Sequence, residues 1–282
     1  MKRRLTAGLA LASVLVCNVC PLFAASYATS VADYQPGALS GALTSYTNSS
    51  AAIGMPTTFN PAFPPWSPEP TPITPFEAPY TSEQLVGIGS GGYLTLQFAD
   101  PIRNLPGNPY GLDFVVYGGA AFVDVNWPNG LSDGTVFGNL GGVTRIAVSA
   151  DGQNFYTLNP SLAPVTEAAL PTDSLGQFGL PPNPSLTPAA FAGKTLPEIR
   201  ALYGGSAGGV GYDLSWAVDG QGQPVVLNEV QFVRLSVLDG QVKLDALAAV
   251  PEPSTWFLGL AGLGLLAWLR RSRKGAQNER NY

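Results

Sequence analysis

From Val86 onward the chain is a series of short apolar or alternating runs separated by glycine, proline and Asp-Gly steps. Tyr93 to Phe98 and Leu112 to Tyr117 mix period-two alternation with continuous apolar stretches, as half-buried and fully buried strands do. Val143 to Ser149 runs through Asp151-Gly152 into Phe155 to Leu158. Asp-Gly accepts the positive φ of a tight reversal, so this pattern predicts a hairpin. Phe232 to Leu238 repeats the device, and Asp239-Gly240 predicts a second hairpin returning along Val242 to Leu247. Such strands, with almost no helical periodicity between them, predict an all-β fold: an antiparallel β-sandwich or jelly roll with long loops. One short helix is expected to plug an end of the sandwich. Thr195 and Glu198 form a capping box, Leu196, Ile199, Arg200 and Leu202 follow, and Gly204-Gly205 ends it.

Upstream the pattern changes. Residues 56–79 hold nine prolines with Phe59, Phe63, Trp66 and Phe76 between them. That density forbids a helix or a central strand, so the segment is expected to lie extended across the sandwich with its aromatics as anchors.

Both termini depart further. Lys2, Arg3 and Arg4 precede an apolar run from Leu5 to Val16 and small residues at Ala24, Ala25, Ser26 and Ala28, which reads as a signal peptide for Sec export and signal peptidase. Cys17 and Cys20 both fall inside it, so the exported body has no thiol. At the other end Val250, Pro251, Glu252, Pro253 and Ser254 lead into fifteen uncharged residues, Thr255 to Leu269, and then Arg270, Arg271, Arg273 and Lys274. As a transmembrane helix this run rises about 22 Å at about 1.5 Å per residue, a marginal span of a hydrocarbon core of about 30 Å. Trp256 and Trp268 sit near its ends, and the basic cluster fixes that side in the cytoplasm. The organisation is therefore a signal peptide at 1–26, a proline-rich extended part at 27–85, a β-sandwich at 86–249, a tail at 250–274 with its helix at 255–269, and a cytoplasmic end at 275–282.

Charge sharpens the division. The net charge of −5 averages two basic termini with a body, residues 26–250, that has six cations and seventeen acids. Six scattered cations build no basic face, so nucleic acid is not expected as a partner. The chain has no histidine, which removes histidine-based nucleophile systems and histidine-ligated metals.

The remaining chemistry is sparse. Asp124, Asn126, Asn129 and Asp133 cluster hard oxygen donors and make Ca2+ a candidate cofactor, although the same residues are turn formers. Trp66, Trp127 and Trp216 are candidates for stacking on sugar faces, and otherwise core or loop anchors. Asp113, Asp213, Glu229 and Asp245 are the acids from which a glycosidase pair could be drawn. Lys194 and Lys243 read as surface residues, not as partners of a serine nucleophile. Gly87 to Gly92 matches a dinucleotide-loop spacing but precedes a strand, so it reads as a turn. Gly204 to Gly211 reads as a flexible loop.

Pro251-Glu252-Pro253, the short apolar run with Gly259, Gly262 and Gly264, and the arginine cluster resemble the PEP-CTERM sorting tail of exported Gram-negative proteins. The resemblance implies recognition and removal of the tail by an exosortase-type membrane protease, after transient anchoring in the inner membrane, and delivery of the body to the cell surface or matrix. Tyr46 to Ala52, Gly91 to Leu96, Asp113 to Tyr117 and Gly193 to Gly205 resemble, in this order, segments of a domain often carried by such proteins. The Val148 to Phe155 hairpin resembles those of galactose-binding-like jelly rolls. The expected function is a structural or adhesive role in exopolysaccharide or biofilm, without enzymatic activity. The alternatives are a calcium-assisted carbohydrate-binding module and a carboxylate-dependent glycan hydrolase.

Overall fold

A computed structural model describes residues 25–65 and 67–251. The signal peptide, Trp66, and the tail from Glu252 onward, with its expected helix, lie outside the described residues. Among the described residues fifteen strands are formed: β1 Ser26–Gln35, β2 Phe59–Asn60, β3 Thr71–Pro72, β4 Val86–Gly89, β5 Tyr93–Arg103, β6 Phe114–Gly118, β7 Ala121–Asp124 and β8 Leu131–Phe137; then β9 Val143–Ser149, β10 Tyr156–Leu158, β11 Lys194–Thr195, β12 Val210–Tyr212, β13 Ala217–Val218, β14 Glu229–Asp239 and β15 Gln241–Ala249. All the strand pairings are antiparallel. The fold is all-β, as the sequence predicts, with one α-helix among the described residues, α1 Leu196–Tyr203.

The main sheet has ten strands in the order β12-β6-β15-β1-β5-β14-β9-β10-β13, with β4 also paired to β15. It curls into two facing layers because β1 belongs to both. Ser26 and Tyr27 pair with Ala249 and Ala248 of β15, and from Ala28 onward the strand pairs with β5. Alternate residues of each layer point inward and meet. Leu94, Leu96 and Phe98 of β5, Val233, Leu235 and Val237 of β14, and Ile146 and Val148 of β9 share one core with Val86, Ile88, Phe114, Val116, Val242, Leu244 and Leu247 of the other layer. β6 is buried on both faces. Val115 and Tyr117 point away from this core into a second cluster with Ala207 and Ala248, against which Tyr27 and Phe178 pack.

The first Asp-Gly reversal behaves as predicted, since β9 and β10 pair across it. The second does not form a hairpin. β14 pairs with β5 and β9, whereas β15 pairs with β1, β4 and β6. Gly240, at φ 70°, does reverse the chain, but the reversal carries it from one layer to the other. Val237 and Val242 reach the same core from opposite sides.

The capping box of α1 is present, with the Thr195 N–H donating to Glu198 Oε2 at 2.8 Å, and Gly204 closes the helix in the left-handed region. The helix does not plug the main core. It buries Ile199 and Tyr203 with Phe122, Leu170 and Phe191 in a separate cluster beside the small sheet β11-β8-β7. The glycine run after it is not a flexible loop either. Ser206 to Gly211 is buried, and a Cβ at Gly208 would lie 2.3 Å from the Pro171 carbonyl oxygen. Glycine serves close backbone packing there. In the proline-rich segment β2 pairs with β3, and Phe76 packs edge-on near Phe122, but Phe59 and Phe63 face solvent instead of anchoring the segment.

Leu96 lies at the centre of the joined layers and is almost fully buried. Leu96→Ala is expected to lower unfolding stability by about 2–5 kcal/mol, read from the urea midpoint. A loss comparable to that of a surface substitution would contradict this description of the core.

Candidate functional site

The last strand ends where the tail begins. Val250 is buried, and its N–H donates to the Asp113 carbonyl oxygen at 2.9 Å. Asp113 sits between α-free loops at the head of β6 and is only 1 % exposed. Its Oδ1 accepts from the Leu105 N–H at 3.1 Å and from Asn108 Nδ2 at 2.8 Å, and its Oδ2 accepts from the Leu214 N–H at 2.9 Å. Burial pushes its pKa up to about 6 against the lowering effect of these three bonds, and the neighbouring Asp213 charge adds to the rise. Its donors belong to loops far apart in sequence, so one carboxyl group ties both to the head of β6, whose backbone receives the Val250 N–H.

Asp245 is buried to the same degree. Its partner is Thr57, whose N–H donates to Oδ1 at 3.2 Å and Oδ2 at 3.0 Å and whose hydroxyl donates to Oδ1 at 2.8 Å. This bond set fixes the start of the proline-rich segment to β15. Burial raises the Asp245 pKa to about 7, opposed by the Thr57 bonds. The other two candidate acids are placed differently. Asp213 Oδ1 accepts from the Ser215 N–H at 2.7 Å, and Glu229 lies 3.6 Å from the exposed Arg103 guanidinium.

The candidate calcium residues line the reversal between β7 and β8. Asp124 Oδ1 accepts from the N–H groups of Asn126 and Leu131, both at 2.9 Å, and Oδ2 accepts from that of Gly130 at 3.0 Å. Partial desolvation is the largest single influence and raises its carboxyl, but the three N–H bonds together outweigh it and hold the group below the usual carboxylate range. Asp133 Oδ1 accepts from the Thr135 N–H at 2.7 Å, and Asn126 and Asn129 are exposed. Among the described residues no group of three or more Asp, Glu, Cys or His is arranged to hold a metal ion.

Trp127 stands at the tip of this reversal, 79 % exposed. Trp216 is half-buried against the main core and lines a cavity of about 250 Å³ with Pro164, Leu186 and Val210. Two features have no local signal in the sequence. Arg234, on the side of β14 away from the core, lies between the rings of Phe155 and Tyr93, with Cζ 4.0 and 4.8 Å from their centroids, and its Nε donates to Thr95 Oγ1 at 2.8 Å. Tyr93 in turn donates to Asp33 Oδ2 at 2.7 Å. Lys243 is not a surface residue. It is half-buried in a small polar cavity with Glu167, donates to the Gly119 carbonyl oxygen at 3.2 Å, and has its pKa lowered by burial against the attraction of Glu167.

The last strand of the all-β body runs at Val250 directly into a Pro-Glu-Pro, apolar and basic tail. Residues 249–274 match the family model of the PEP-CTERM protein-sorting motif, so the chain carries the tail of an exosortase substrate. The match implies export, transient membrane anchoring at the C-terminus and processing by an exosortase. No curated protein matches the chain. Of the motif residues, Val250 and Pro251 are described, while Glu252, Pro253, Ser254, Arg270, Arg271, Arg273 and Lys274 lie outside the described residues. No helix among the described residues is long and apolar enough to cross a membrane.

The Asp245 environment has a pH consequence. An aspartate in the unfolded chain titrates near 4, whereas the native group titrates near 7. Between these values the native state keeps a proton that the unfolded state loses. Its stabilising contribution is complete below the lower value and is lost as pH rises through the upper one. The stability of the wild type relative to Asp245→Asn is therefore expected to fall between pH 4 and 7.5 in urea titrations. Equal pH slopes for the two proteins would refute the assignment.

Proposed function

We propose that the protein is a non-enzymatic cell-surface or extracellular-matrix cargo with a structural or adhesive role in exopolysaccharide. The observation that carries this reading is the sorting motif at 249–274 joined directly to the folded body at Val250. The placement of the acids supports it further. Asp113 and Asp245 are buried with their oxygens engaged by backbone and side-chain donors, and both serve to join segments. A glycan hydrolase needs two carboxyl groups facing a shared cleft. The body's excess of acids keeps it soluble in transit.

A carbohydrate-binding reading, on a galactose-binding-like jelly roll, draws support from Trp127, whose indole is presented at a loop tip and suits stacking on a sugar face. Under that reading Trp127→Ala lowers retention on host exopolysaccharide by roughly tenfold, in line with about 1.4 kcal/mol per decade. Unchanged retention, with calcium and with chelator, would remove it and leave the structural role.

The sorting role is tested by intact-mass measurement of the protein from its native host. The expected mature form lacks the basic cluster and is recovered outside the inner membrane. A mature form that retains Arg270 to Tyr282 in the inner membrane would overturn the proposal.

A further inference from the structure

At the root of the tail the body presents a groove of about 280 Å³, walled by Pro109, Gln177, Phe178 and Leu180 together with Val250 and Pro251. The last two are the first residues of the sorting motif to leave the sheet, so the groove is continuous with a segment that the protease recognises. Its walls are firmly built. Phe178 packs edge-on against the buried Tyr117 ring, with centroids 5.5 Å apart, and the Gly179 N–H donates to the Tyr117 hydroxyl at 3.1 Å. Gly179 has φ 82°, and a Cβ there would lie 2.6 Å from the Ala249 carbonyl oxygen and 3.2 Å from Pro251 Cδ. A glycine is thus what lets this loop lie directly against the departing chain.

We propose that this groove is a docking surface for the sorting protease, so that the protease reads part of the folded body as well as the tail. The inference rests on the reading of 249–274 as an exosortase motif. Reach places the groove within range of the bound enzyme. Only Glu252, Pro253 and Ser254 separate Pro251 from the apolar run that begins at Thr255. At about 3.5 Å per residue, Thr255 lies no more than about 14 Å from Pro251. An enzyme bound to the motif sits within that distance of the groove. Charge favours a protein partner over the membrane surface, because no lysine or arginine lines the groove and the body carries many more acids than bases. Apolar walls of proline, phenylalanine and leucine suit an apolar contact on a protein.

The test uses the full chain in its host with an epitope-tagged sorting protease, following conversion of precursor to mature protein by pulse-chase and intact mass. Gly107 lies at the mouth of the groove, has an ordinary φ, and a Cβ there would meet nothing within 4 Å. Gly107→Trp is therefore expected to fold, to fill the mouth and to slow processing at least fivefold. Gly220→Trp, at an equally open position that does not line the groove, is expected to be processed at the wild-type rate. Glu252→Ala separates the two levels of the argument. If it is processed normally, the exosortase reading itself fails. If it is blocked while Gly107→Trp is processed normally, only the docking groove is overturned. A photo-crosslinking residue at Gln177 gives a readout that needs no bulky substitution. It is expected to capture the tagged protease during processing, and adducts only with lipid or with a second copy of the chain would overturn the proposal.

Discussion

The body closes because β1 changes partners between Tyr27 and Ala28, leaving β15 for β5. The described residues contain no cysteine, and the two layers are held by apolar burial between strands remote in sequence. β1 is the covalent and hydrogen-bonded join that makes those layers one sheet. Leu96 and Leu235 already sit on the directly paired β5 and β14, and this join brings Val116 of the other layer onto the same core. Such non-local pairing carries a high loop-closure cost before contacts repay it.

Polar groups reinforce the same closure. Asp113 ties the Leu105 and Leu214 loops to the strand that receives Val250, and Asp245 ties Thr57 to β15. A bidentate Arg200–Asp173 pair, at 2.6 and 3.1 Å, holds α1 to the segment that packs beneath it. In each case one buried carboxylate accepts from a donor on a segment apart from its own strand or loop, and removing it would leave that donor unpaired. The acids of this protein thus divide into a solvated majority and a few internal fasteners. The division explains why an acidic composition coexists with sequestered carboxyl groups.

Local information was legible in the sequence where local physics decides. Thr195, Glu198 and Gly204 specify α1, and Asp151-Gly152 specifies the β9–β10 hairpin, because caps and turns are satisfied within a few residues. Asp239-Gly240 specifies a reversal equally well, but the partner of β14 is chosen by burial against β5 and β9, which no local pattern encodes. Arg234 was invisible for the same reason, since it meets Thr95 across 139 positions. Lys243 alternates like a surface residue, yet the loop bearing Glu167 covers it. The tail was readable from its own three-part order, whereas the groove beside it is assembled from Pro109 and Phe178, distant from it in the chain.

The pairing of Ser26 with Ala249 places the two ends of the body side by side in mid-sheet. A chain exported from its N-terminus leaves β1 without that partner until residue 249 has also crossed, so the clasp is completed last. Cleavage beyond Pro251 then trims a sheet whose first and last strands are already paired. Both ends of the body are then rooted in mid-sheet strands that are already paired, and neither leaves a loose strand from which the sheet could begin to unravel.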